Sequence, residues 1–143
     1  MANNERVFHE ENIIPHARDG FHWVFGSNIA GRHGAGAARV ARVNFQAEYG
    51  VGRGLTGMAY AIPTKDKSLK VLPLVDIEAN VAEFLEYARL HPAKRFFVTA
   101  VGTGLAGYSD DEIGPLFADA PLNCSLPWQW KQYTVSSAAI VAE

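Results

Sequence analysis

Glycine is concentrated in two turns of this chain, each lying between a short apolar run and a helix-forming run. The first, Gly26-Ser27-Asn28-Ile29-Ala30-Gly31-Arg32-His33-Gly34-Ala35-Gly36, comes after Phe21 to Phe25; the second, Gly102-Thr103-Gly104-Leu105-Ala106-Gly107, comes after Phe96 to Ala100. Glycine lets backbone N–H groups approach a ligand closely, and a helix start presents unpaired donors and a partial positive charge. That combination suits phosphate. Two such turns on one small domain point to a ligand with two phosphates, of which a nucleotide diphosphate is the natural example. The first turn lacks the Lys-Ser/Thr of a P-loop. The second fits G-x-G-x-x-G, but its helix signal starts only at Ser109, and too few residues remain after Gly107 to complete a dinucleotide-binding half.

The elements that must position these turns alternate between strand and helix. Phe21 to Phe25 reads as a buried strand opened by Asp19-Gly20. A helix is expected from about Ala35 to Tyr49, with Ala37, Val40, Ala41, Phe45 and Tyr49 inward and Gly50 at its stop. Gly50, Gly52, Gly54 and Gly57 suggest a mobile loop, and Met58 to Ile62 a short strand ended by Pro63. Asp76 is the expected cap of a helix whose stripe is Ile77, Val81, Phe84, Leu85 and Ala88, closed by His91-Pro92. Arg95 to Val101 reads as a central strand. Ser109-Asp110-Asp111-Glu112 has capping-box spacing, which brings Ile113, Leu116 and Phe117 inward. In the tail from Pro121 to Glu143, the Trp128/Trp130 alternation fits either a strand edge or core cover. The pattern predicts one α/β domain over residues 1–143, with ligands beyond the carboxyl ends of its strands.

Bulk properties exclude several classes. The chain has 143 residues, 48% hydrophobic and 20% charged, and a net charge of −2. Such a chain can bury an adequate core, and its charge argues against broad nucleic-acid binding. Arg32, His33, Arg39 and Arg42 could still form a local basic cluster, or simply a solvated helix face. Cys124 is the single cysteine; it excludes an internal disulfide and reads as a buried, inert thiol. No apolar run is long enough for a membrane span and the first residues are polar, so a cytoplasmic protein is expected. His9, His16, His22 and His91 lack metal-ligand spacing and read as structural; neither a metal nor a cofactor is expected.

The segments Val24 to Ala38 and Val98 to Tyr108 resemble the two ligand loops of the macrodomain family, and in particular a divergent branch among bacterial and phage proteins. The resemblance covers roughly residues 21–118 in element order. It implies a three-layer α/β/α fold with a mixed, mostly parallel sheet that binds ADP-ribose at its crest. By the same resemblance, Asn28 contacts the distal ribose and Gly34 with Gly36 forms the first diphosphate loop, Gly26, Ser27 and Ala35 being further candidate ligand-binding residues. Thr103, Gly104, Leu105, Ala106 and Gly107, after Gly102, form the second, with Tyr108 beside the distal ribose. The family's adenine-binding aspartate has only Asp19 as a counterpart between Ile13 and Gly20. Arg32-His33 stands where the family prefers glycines.

Placed by that resemblance, His33 lies within reach of the distal phosphate or ribose as a candidate acid or base, the alternative being an exposed loop histidine. In Thr64-Lys65-Asp66-Lys67, Asp66 is a candidate base and Lys65 a charge stabiliser for hydrolysis of an ADP-ribosyl bond; solvated loop charges are the alternative. Two functions are then open. One is an ADP-ribosyl hydrolase; the other is a binder that senses or sequesters an NAD-derived signal and needs no acid–base residue. A purely structural scaffold would leave both glycine turns without a task.

Overall fold

A computed structural model describes residues 5–135. Strands β1 (Phe8–His9), β2 (Phe21–Asn28), β3 (Gly54–Thr56), β4 (Ala59–Lys65), β5 (Arg95–Val98) and β6 (Cys124–Pro127) alternate with helices α1 (Gly36–Asn44), α2 (Leu74–Leu90) and α3 (Asp110–Ile113). Among the described residues the strands form one sheet in the order β1-β6-β5-β2-β4-β3. Only β3 runs antiparallel to its neighbour. Helix α1 covers one face of the sheet and α2 the other, giving three layers around two cores. This is the predicted α/β/α architecture.

The central strand β2 is buried on both faces, as parallel strands between helical layers are. Trp23 and Phe25 point toward α1, whereas Val24 joins the α2 side. The Trp23 ring stacks between Phe45 and Phe97 at 5.2 and 5.6 Å, and its Nε1–H donates to Ala37 O at 2.9 Å. That bond fixes the start of α1 over the sheet. On the other face Ile77, Val81, Phe84, Leu85 and Ala88 are all buried, so the helical stripe read from the sequence is the core face of α2.

Several boundaries differ from expectation, each for a packing reason. Helix α1 stops at Asn44 because Gln46 turns left-handed (φ 62°), which buries both Phe45 and Ala47 and leaves Tyr49 62% exposed. Helix α2 starts at Leu74 with Pro73 as its cap; Asp76 lies inside the first turn, where its carboxylate still opposes the helix dipole. Strand β4 runs through Pro63 to Lys65. β3 pairs only as far as Ala61, so the missing Pro63 N–H lies beyond the β3 ladder. Strand β5 ends at Val98, where Val101 N–H turns back to Thr99 O at 2.7 Å.

The loop through Gly50 and Gly52, expected to be mobile, is seated against β2. Gly50 N–H donates to Gly31 O at 2.9 Å, and Ser27 Oγ donates to Gly52 O. Ser109 and Glu112 form the anticipated capping box of α3. Past α3, Trp130 is wholly buried and stacks on Phe117 at 4.8 Å, while Trp128 is exposed. Both lie in a 3-10 turn, Trp128–Tyr133, so core cover describes Trp130 and neither forms a strand. Cys124 is buried, its thiol pushed up to about 12 by that burial. Tail residues 136–143 lie outside the described residues. No helix among the described residues is long and apolar enough to cross a membrane.

Candidate functional site

A cleft of about 840 Å³ lies at the carboxyl ends of β2, β4 and β5. Parallel strands direct their carboxyl ends to one edge of a sheet, so the segments leaving them converge there. From the first turn the cleft collects Gly26, Ser27, Asn28, Gly34, Ala35 and Gly36. From the second it collects Gly102, Thr103, Gly104, Leu105 and Ala106. Gly26, Ser27 and Asn28 are the last residues of β2 rather than loop residues; the turn proper begins at Ile29.

The walls contain room for a close-fitting ligand. A Cβ added at Gly34, Gly36 or Gly104 would meet nothing within 4 Å. Gly36, the first residue of α1, has φ +57°, which further favours glycine there. The amino terminus of α1 is bare: Ala35 provides no side-chain cap, and the first turn holds no acidic residue. Helix α3 is the opposite case, capped by Ser109 and carrying Asp110, Asp111 and Glu112 in its first turn. An unopposed helix start beside the cleft attracts an anion.

Asn28 organises the first turn. Its Oδ1 accepts from Arg32 N–H and its Nδ2 donates to Arg32 O, both at 2.9 Å. The side chain therefore clasps the turn while the residue still lines the cleft. Thr103 Oγ1 donates to Ala100 O at 2.7 Å, which shapes the second turn in the same way. Arg32 and Lys65 bring positive charge to the cleft from adjacent segments, Lys65 being the β4 partner of Asn28.

Other expected site residues are placed elsewhere. His33 is fully buried behind the wall, its ring against Phe25 and Tyr49; it is neither an exposed loop histidine nor a cleft residue. The Asp66 Oδ1 accepts from Ser68 and Lys70 N–H at 2.8 and 3.0 Å, so that carboxylate closes its own turn. Tyr108 packs against the core and its hydroxyl donates to Leu72 O at 2.6 Å; neither it nor Gly107 lines the cleft. Asp19 accepts from His16 N–H in a short 3-10 turn and is likewise absent from the walls.

Sequence reasoning missed the segment after β1, whose residues Glu10, Glu11, Asn12, Ile13 and Ile14 form one side of the cleft. Its floor includes His9, stacked on Phe97 at 3.7 Å. His9 Nδ1 lies 2.7 Å from Ser125 Oγ and Nε2 2.8 Å from Val98 O; burial holds the ring down at about 4, partly opposed by the Val98 bond. A neutral ring donating to Val98 O and accepting from Ser125 satisfies both contacts, so His9 ties β1 to the neighbouring strands. The available signal was the short Phe8-His9 pair ahead of the acidic run, since a parallel strand there delivers the next residues of the chain to the same edge of the sheet.

The sequence matches no protein-family model and no curated protein. In fold the chain is similar to Thermosipho africanus DarTG, from a structure of that protein in complex with ADP-ribose, with a TM-score of 0.56 and 17% sequence identity. The match covers 89% of this chain and 44% of the DarTG chain. The two chains thus share an α/β architecture over most of the present molecule.

Proposed function

We propose that this protein binds ADP-ribose, or a related NAD-derived nucleotide diphosphate, in the cleft between the two glycine turns. The observation that carries this reading is the bare amino terminus of α1 beside Gly34 and Gly36, facing a second glycine turn that is equally open at Gly104. Backbone donors from the two turns would hold the diphosphate, with Arg32 and Lys65 adding charge. The fold it shares with a protein whose structure was solved in complex with ADP-ribose supports the same choice of ligand. Binding rather than turnover is favoured because His33 is buried and Asp66 is engaged in its own turn, while Lys65 alone of the three proposed catalytic groups reaches the cleft. The protein would then act as a sensor or store of an NAD-derived signal.

Calorimetric titration with ADP-ribose, NAD, ADP and AMP tests this. ADP-ribose is expected to bind with micromolar affinity, roughly −8 kcal/mol, because the loops are largely preformed. AMP should bind at least tenfold more weakly, having one phosphate for two loops. Equal affinities would refute the two-loop arrangement. Chromatography of ADP-ribosylated substrates after incubation reads turnover separately.

A smaller effect is expected at Asn28. Asn28→Ala removes both halves of the clasp on Arg32 together with any contact to the distal ribose, and should weaken ADP-ribose by about 1–3 kcal/mol. Unchanged affinity in the folded variant would show that the turn keeps its shape without the clasp.

A further inference from the structure

His33 is a costly residue for its position. It lies in the middle of the first glycine turn and is fully buried, and neither ring nitrogen makes a well-formed hydrogen bond, although the Val51 backbone comes close enough to interact with the ring. Buried polar groups are nearly always paired, and an apolar ring of this size would fill the same space without unpaired groups. The ring sits edge-on to Phe25 of β2 at 5.3 Å and to Tyr49 of the loop after α1 at 6.2 Å. The His33 main chain is held as well, its carbonyl accepting from Arg42 Nε of α1 at 3.2 Å. The imidazole thus acts as the buried plug between the turn, β2 and the loop at Tyr49, while the His33 main chain ties the turn to α1.

We propose that His33 is a positioning residue whose neutral, buried ring holds the first glycine turn in its ligand-ready shape, so that acidification releases the turn and weakens nucleotide binding. This rests on the binding reading for its affinity consequence, but not for the movement of the turn. The titratable or charged groups facing the ring are Arg42 from α1 and Tyr49 from the loop after it; β2 presents Phe25, and the Gly50–Gly52 segment presents the Val51 backbone. No carboxylate is among them to stabilise an imidazolium. Burial pushes the ring below the ordinary histidine value, the Arg42 charge acts in the same direction, and the nearby Val51 backbone only partly opposes them.

Linkage sets the sign. A histidine held neutral in the closed turn titrates at its ordinary value once released, so the open turn takes up protons that the closed turn refuses. Closed-state stability is therefore complete above pH 6.5, the ordinary value, and falls progressively as pH drops below it. His9 has the same sign, but it lies on β1 and is unchanged in His33 variants.

The test compares the wild-type protein with His33→Phe and His33→Gln at pH 7.5 and 5.5, using ADP-ribose as the probe. The wild-type Kd should rise between the two pH values, by at most about tenfold, the ceiling that one pH unit below the ordinary histidine value sets on the linkage. The same ratio should be clearly smaller in both variants than in the wild type, whatever their absolute affinities, because residue 33 no longer titrates while the His9 contribution is common to all three proteins. If one variant fails to fold, the other carries the comparison. Hydrogen exchange reads the turn without ligand: the Gly31, Arg32 and Gly50 amides, all hydrogen-bonded in the closed turn, should lose protection at pH 5.5 in the wild type only. A flat wild-type exchange profile, or equal acid loss in the variants, overturns the proposal. Acid-sensitive exchange without any ADP-ribose binding would retain the switch and remove the ligand assignment.

Discussion

Gly104→Val should leave the protein folded and abolish ADP-ribose binding. The position is open: a Cβ there meets nothing within 4 Å, and Gly104 is not among the glycines with positive φ. A branched side chain can therefore be accommodated by the backbone, and the space it takes is the cleft itself. Phosphate held by backbone donors must approach within hydrogen-bond distance of them, and an isopropyl group at the loop's centre prevents that approach. The expected loss is at least a hundredfold in affinity, about 2.7 kcal/mol, with a melting temperature within a few degrees of the parent. Calorimetry with ADP-ribose and a thermal melt decide it together. Normal binding by the variant would make this loop a structural turn and nothing more.

Gly52→Ala should have the opposite outcome, destabilising the fold instead of filling the cleft. The added methyl would stand 2.0 Å from Asn28 O and 2.8 Å from Ile29 O. Both obstacles are backbone atoms at the end of the central strand, so no side-chain rotation relieves the overlap. Gly31 has the same constraint from the other side, its Cβ falling 2.2 Å from the Gly50 carbonyl carbon at φ +72°. Overpacking in a close contact typically costs about 1–3 kcal/mol and more where the backbone must move. A loss above roughly 3 kcal/mol is expected, lowering the melting temperature by about 10 °C. An unchanged melt would mean that the loop can lift from β2 at little cost, and with it the support for Asn28.

These glycines look alike in a sequence but do different work. Gly104 and Gly34 border open space in the cleft, whereas Gly52 and Gly31 leave room for another part of the chain. Composition and spacing locate all four; only the position of the loop at Gly50 and Gly52 against β2 separates them. The same holds for the charged candidates. Lys65 lines the cleft and Asp66, the next residue, turns its carboxylate onto Ser68 and Lys70.

Local chemistry determined much of the molecule. The stripe of α2, the Ser109 capping box, the burial of Cys124 and the two glycine turns at strand ends each depend on periodicity, capping or size within a few neighbouring residues, and each is legible in the chain. The α/β alternation results from them. The tertiary structure alone decided the rest. β1 is two residues long, too short for any alternation, and exists because it pairs with β6; His9 meets Ser125 across 116 residues of sequence. That pairing places Glu10 to Ile14 on the cleft. His33 is buried because Gln46 ends α1 early and brings Tyr49 beside the turn, and Tyr108 faces the core because Leu72 supplies an acceptor for its hydroxyl. Such outcomes depend on long-range packing, which a short window of residues does not encode.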